Sequence, residues 1–135
     1  MRRSLAPVLL LLLALVVAGC DGDGPSSDAA AAQPRRIVSL SPTSTEMLFA
    51  IGAGGQVVAV DSNSNYPKDA PKTELSAYEP NLEAIAGYRP DLVVYSDDPG
   101  GLAAGLGKLG IPVLRQPAAK GLEDTYAQLD QLGRA

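Results

Sequence analysis

The strongest constraint on this chain is an alternation. Short apolar runs rich in β-branched residues recur between stretches with helical spacing. The runs are Arg36-Ile37-Val38-Ser39-Leu40, Gln56-Val57-Val58-Ala59-Val60, Asp91-Leu92-Val93-Val94-Tyr95 and Ile111-Pro112-Val113-Leu114. Apolar residues at consecutive positions would bury both faces of a strand, as in a parallel sheet covered on two sides. Helix signals fill the gaps. Pro42 suits a first turn, Thr43-x-x-Glu46 has a capping-box pattern, Met47, Leu48 and Ile51 form a stripe, and Gly52 and Gly54 stop it. Asn81 caps a second helix with Leu82, Ile85 and Ala86 inward. Asp98-Pro99 opens a third, with Leu102, Leu106 and Leu109 at i, i+4, i+7 and Gly110 at its end. A fourth over 121–133 carries Leu122, Tyr126, Leu129 and Leu132. Residues 61–80 show no period and many turn formers. The pattern predicts an α/β fold: a parallel four-stranded sheet in order 2-1-3-4, flanked by helices, with right-handed crossovers. Tyr95 and Tyr126 are expected in its core.

The first residues are an address rather than a fold. Arg2 and Arg3 precede an apolar run from Leu5 to Ala18, broken only by Pro7. That run is shorter than the roughly 20 residues of a spanning helix and suits a signal peptide. It ends in Val17-Ala18-Gly19-Cys20, which resembles a bacterial lipobox, and Cys20 is the only cysteine of the 135 residues. Residues 1–19 are therefore read as a lipoprotein signal peptide. Residues 20–35 are read as a lipidated Cys20 with a flexible tether of Gly, Pro, Ser, Asp and Ala, and 36–135 as the folded part. Two acyl chains suffice for stable anchoring, so the protein is expected outside the cytoplasm, lipid-anchored to the cell membrane.

Composition excludes several activities. There is no His, so a His-dependent triad and a Cys/His zinc cluster are out, and one Cys allows no disulfide within the chain. The net charge is -4 and no Lys/Arg block exists, which argues against a nucleic-acid partner. Ser39 and Ser41 have no side-chain base to activate them. Gly52–Gly55 follows a helix rather than opening one, and Pro99-Gly100-Gly101 lacks the Lys of a phosphate loop. Asp97 and Asp98 are adjacent, so their carboxyls diverge; the plain reading is a helix cap beside a solvated acid. The chain is expected to be no enzyme and to use no cofactor.

In a parallel sheet, ligands sit outside the carboxyl ends of the strands. Here those ends carry Ser41, Pro42 and Thr43, then Asn63, then Ser96 and Asp97. Tyr66 and Tyr78 lie in the loop beside them, as ligand contacts or as lids over a core edge. Glu83, on the polar face of the Asn81 helix, is on residue chemistry alone a solvated first-turn acid.

Several blocks now occur in a telling order: Arg36 to Glu46 leading to Gly52, Val57 to Val60, Asn65-Tyr66-Pro67, Pro80 to Ala86, Arg89 to Val94, and Leu109 to Val113. From residue 36 to the end, the chain resembles the Fe/B12-type periplasmic-binding domain family, the substrate-binding proteins of ABC importers for ferric siderophores, haem and cobalamin. The resemblance implies a Rossmann-like N-terminal lobe of a two-lobe binding protein, with the linking helix and second lobe absent here. It implies that Glu83 occupies the position that meets permease arginines. Asn63 and Ser96 stand where cobalamin binders carry aromatics, and Tyr78 stands near a pocket aromatic or a haem-ligating Tyr. The expected partners are the ABC permease subunits and an iron-siderophore, haem or corrinoid ligand, with the protein a monomer and no resident metal. The alternative is a lobe-only lipoprotein that binds no ligand tightly and acts through protein contacts. The lipobox carries its own test: a radioactive fatty acid labels the wild type and leaves Cys20→Ala unlabelled, and label on the mutant refutes lipidation there.

Overall fold

A computed structural model describes residues 33–135; the stretch read as a signal peptide, Cys20 and most of the stretch read as a tether lie outside the described residues. Strands β1 (Ile37–Leu40), β2 (Val57–Asp61), β4 (Leu92–Tyr95) and β5 (Val113–Arg115) are the four that the apolar runs foretell. All strand pairs are parallel, and the sheet order is β3-β2-β1-β4-β5. The four expected strands take the expected order.

The fifth strand, β3 (Lys72–Leu75), corrects the four-stranded expectation. It pairs with β2 at the sheet edge, Val60 opposite Lys72 and Asp61 opposite Leu75. An edge strand draws on backbone pairing and needs little apolar surface. Only Leu75 of the four is buried, and the exposed Lys72 and Glu74 protect the open edge from further pairing. Thr73 holds the strand from its side chain: Oγ1 donates to the Val60 carbonyl at 2.6 Å.

Side chains alternate across the central strands. Ile37, Val57, Val60, Leu92 and Val94 pack with Met47 and Leu48 of α1 (Pro42–Ala50) and Leu132 of α4 (Leu122–Arg134). Val38, Leu40, Val93 and Tyr95 pack on the other face with Ile85 of α2 (Leu82–Gly87) and with Leu102 and Leu106 of α3 (Leu102–Lys108). Gly105 of α3 makes that face tight, since a Cβ there would come within 2.5 Å of Leu82.

Local signals hold with amendments, among them Leu109 and Leu122, which are 55% and 70% exposed although they stand on the helical stripes. The cap of α1 is Ser41, whose Oγ accepts from the Ser44 N–H at 3.3 Å, whereas Thr43 and Glu46 are exposed. The helix closes as expected at Gly52, in the left-handed region at φ 86°. There the Ala53 N–H bonds back to the Leu48 carbonyl at 2.8 Å. The stripe residue Ile51 is 40% exposed. In α4, Tyr126 is 62% exposed, against the expected core position. The helix packs instead through Gln128 and Leu132, with Thr125 and Leu129 half-buried. Gln128 keeps its place by donating to the Pro117 carbonyl at 2.6 Å.

Two polar devices fix the ends of the sheet. At the amino ends, the Asp91 carboxylate accepts the backbone N–H groups of Arg35 and Arg36, each at 2.9 Å. The Arg36 guanidinium donates to the Tyr88 carbonyl at 2.7 Å and to that of Arg89 at 3.2 Å. At the carboxyl ends runs a chain of buried hydroxyls. Ser39 donates to the Ser41 carbonyl at 3.3 Å, Thr45 donates to Ser39 at 2.9 Å, Thr45 and Ser64 meet at 3.1 Å, and Ser64 donates to Asp61. Ser39, Thr45, Asp61 and Ser64 are all fully buried. Buried hydroxyls that lose a partner cost about 1–3 kcal/mol. Thr45→Val keeps the shape and removes the hydroxyl shared by two contacts. Urea denaturation should show a loss in that range with an unchanged slope; a loss under about 0.5 kcal/mol shows that the chain adds little.

Candidate functional site

The site is assembled by the strand ends. β1 ends at Leu40 and delivers Pro42 through the capped start of α1. β2 ends at Asp61, and the next turn presents Asn63, its N–H on the Asp61 carboxylate at 3.4 Å. After β3, the Ser76 hydroxyl accepts from the N–H groups of Tyr78 and Glu79, at 3.2 and 3.0 Å. After β4 come Ser96 and Asp97, the Ser96 hydroxyl donating to Asp97 at 3.3 Å. These segments enclose a depression of about 70 Å³ lined by Leu40, Pro42, Asp61, Asn63, Ala77, Tyr78, Ser96 and Asp97.

Five residues nominated from sequence therefore meet at one place: Pro42, Asn63, Tyr78, Ser96 and Asp97. The others lie apart. Ser41 is buried beneath, its hydroxyl engaged in capping. Thr43 is exposed on the first turn of α1. Tyr66 belongs to a separate groove of about 490 Å³, with Glu46, Met47, Phe49 and Ala50 of α1, Pro67, Asp69 and Leu129 of α4. Glu83 is exposed in the first turn of α2, whose Asn81 cap accepts from the Ala84 N–H at 2.9 Å. Asp98 reaches across the 3-10 turn Pro99–Gly101 to accept from the Ala103 N–H in the first turn of α3 at 2.9 Å, and leaves Asp97 exposed beside it. Sequence reasoning missed Leu40, Asp61 and Ala77. The signal for Asp61 was an acid closing the apolar run Val57–Val60.

The depression is far smaller than the roughly 300–1,000 Å³ of pockets that enclose a small molecule. It is one contact face, built from hydroxyl, amide, carboxylate and a Tyr78 ring that is 76% exposed. Tyr78 also borders a groove of about 470 Å³ between Glu79–Leu82 and Pro99–Leu102. No group of three metal-ligating side chains occurs among the described residues, and no helix among them is long and apolar enough to cross a membrane. A further hollow of about 230 Å³ lies at the other pole, against Ile37, Leu92 and Leu132, and holds none of the nominated residues.

Comparison with known proteins bears on the family and the fold. A family model described as periplasmic binding protein matches residues 37–135. An uncharacterised ABC transporter substrate-binding lipoprotein of Bacillus subtilis, YvrC, is 30% identical over 93% of this chain and 49% of its own length. A vitamin B12-binding protein of Pectobacterium carotovorum is 39% identical over 77% of this chain and 39% of its own. The chain thus spans about half the length of these relatives, or less. Among solved structures, a possible iron-binding periplasmic solute-binding protein of Staphylococcus epidermidis superposes with a TM-score of 0.69 and 29% identity. The superposition covers 76% of this chain and 42% of that one.

Proposed function

We propose, since this chain belongs to the periplasmic binding protein family, that it serves as the substrate-binding component of an ABC importer. In this reading it captures an iron-siderophore, haem or cobalamin-like chelate outside the membrane and delivers it to the permease. Residues 36–135 are the N-terminal lobe, and the strand-end depression is one wall of a cleft whose other wall belongs to a second lobe. Cys20 carries the lipid anchor. The observation that carries the reading is the convergence of Pro42, Asn63, Tyr78, Ser96 and Asp97, from four separate segments, on one strand-end face. Related proteins whose names denote B12 or iron binding share the fold.

A wall that covers one face of a ligand leaves the other wet. Each apolar Å² left unburied forfeits about 25 cal/mol, so about 200 Å² forfeits about 5 kcal/mol. Chelates should therefore bind the 135-residue chain no tighter than about micromolar, and should perturb the amide resonances of Asn63, Tyr78 and Ser96. Nanomolar affinity in calorimetry contradicts the single-wall reading, and perturbation confined to the Tyr66 groove moves the site.

Glu83 is assigned to the permease. It is exposed and has no cation partner among the described residues. A carboxylate desolvated in an interface costs about 2–5 kcal/mol when its pair is cut, but a first-turn Glu contributes only about 0.3–1 kcal/mol to its helix. Glu83→Ala should leave the melting temperature nearly unchanged and weaken docking to the cognate permease in nanodiscs. Glu83→Arg should dock worse still, because like charges then face each other. Wild-type docking by Glu83→Arg leaves Glu83 a solvated helix residue.

A further inference from the structure

We propose that the strand-end wall selects for chelates without net negative charge: neutral or cationic, with an amide or ammonium edge and an apolar flank. The inference rests on the ligand-binding reading above and adds a charge class to it. Its ground is the lining on the two sides of Tyr78. On one side stand Asn63, Ser96 and Asp97, over a floor formed by Asp61. On the other lie Glu79 and the uncharged shelf of Pro80, Leu82, Pro99 and two glycines. Three acids line this surface, and no Lys or Arg does among the described residues.

Among the described residues none of these acids forms an ion pair. The ion pair formed among the described residues is Arg134 with Asp130, far along α4. Asp97 receives the Ser96 hydroxyl and no cation, and Glu79 is exposed. The exposed Arg115 sets its Nε on the Ser96 carbonyl at 3.2 Å, so one guanidinium borders this end from outside the lining. An anionic chelate brought here would shed water, gain no charge-matched donor from the lining, and meet like charge. An amide or ammonium edge would find acceptors in Asp97 and Asn63, and a cation over the Tyr78 ring gains further attraction from its face. Gly100 and Gly101, both in the left-handed region at φ 64° and 74°, have nothing within 4 Å of a Cβ position. The shelf is therefore open to an apolar flank lying against Pro99 and Leu82.

The test uses the full chain extracted in detergent and equilibrium dialysis with bound metal counted. The probes are cyanocobalamin, uncharged overall, ferrioxamine B, a monocation, and ferric enterobactin, a trianion. At about 10 mM salt, where exposed charges act over about 30 Å, cyanocobalamin or ferrioxamine B should bind at least about tenfold tighter than ferric enterobactin. Asp97→Lys, at an exposed position, should keep the melting temperature and narrow that gap at least about tenfold. Ferric enterobactin binding the wild type as tightly as the other two overturns the charge selection and leaves the importer reading standing. An unchanged ranking in Asp97→Lys also overturns it. Binding of none of the three overturns the ligand wall itself, and this inference with it.

Discussion

The hydroxyl chain from Ser41 through Ser39, Thr45 and Ser64 to Asp61 is the interaction on which the working end of this domain depends. It ties β1, the second turn of α1, the close of β2 and the turn that follows into one buried network. A buried polar network is stabilising only when its members are satisfied. Ser39 faces α1 at a strand position where an apolar side chain would ordinarily sit, and Thr45 answers it from the helix. The same network lies directly under the depression, where Asp61 is both its terminus and part of the floor. The surface residues Asn63 and Pro42 are thus displayed from a backbone that is fixed from below.

That arrangement explains how loops without regular structure can present a defined face. The carboxyl ends of parallel strands bring segments far apart in sequence to one pole, and each is then fastened locally: Ser41 caps α1, Asp98 holds the Ala103 N–H at the start of α3, Asn81 caps α2 and Ser76 holds the Tyr78 turn. The chemistry left pointing outward is hydrogen bonding and one aromatic ring, suited to recognition. The binding function of the family fits a surface of this kind.

Much of the fold was legible because burial on both faces leaves consecutive apolar residues, as in Ile37-Val38 and Leu92-Val93-Val94. β3 was not, because an edge strand with Lys72 and Glu74 in solvent carries no such signature; its pairing is a property of the neighbouring backbone. Tyr126 was misread for a geometric reason. The Leu122, Tyr126, Leu129 spacing is helical, but the helix meets the sheet along Thr125, Gln128, Leu129 and Leu132, a stripe turned slightly around the axis. At the site, the strand-end rule reached Pro42, Asn63, Ser96 and Asp97. It could not separate Tyr78 from Tyr66, since residues 61–80 have no period from which a direction can be read, and the structure sends Tyr66 to the α1–α4 side.

The clasp of Asp91 and Arg36 has a mechanical side. It fastens the chain at the amino end of β1, the middle strand of five, hydrogen-bonded on both edges. A pull on Arg36 along the axis of β1 would therefore load two ladders at once. The β1 bonds to β2 and β4 then carry the load together, in shear, rather than opening one after another as they would if the pull peeled an edge strand away. Load entering at Arg36 is thus shared by both seams of β1, at the pole opposite the strand-end depression.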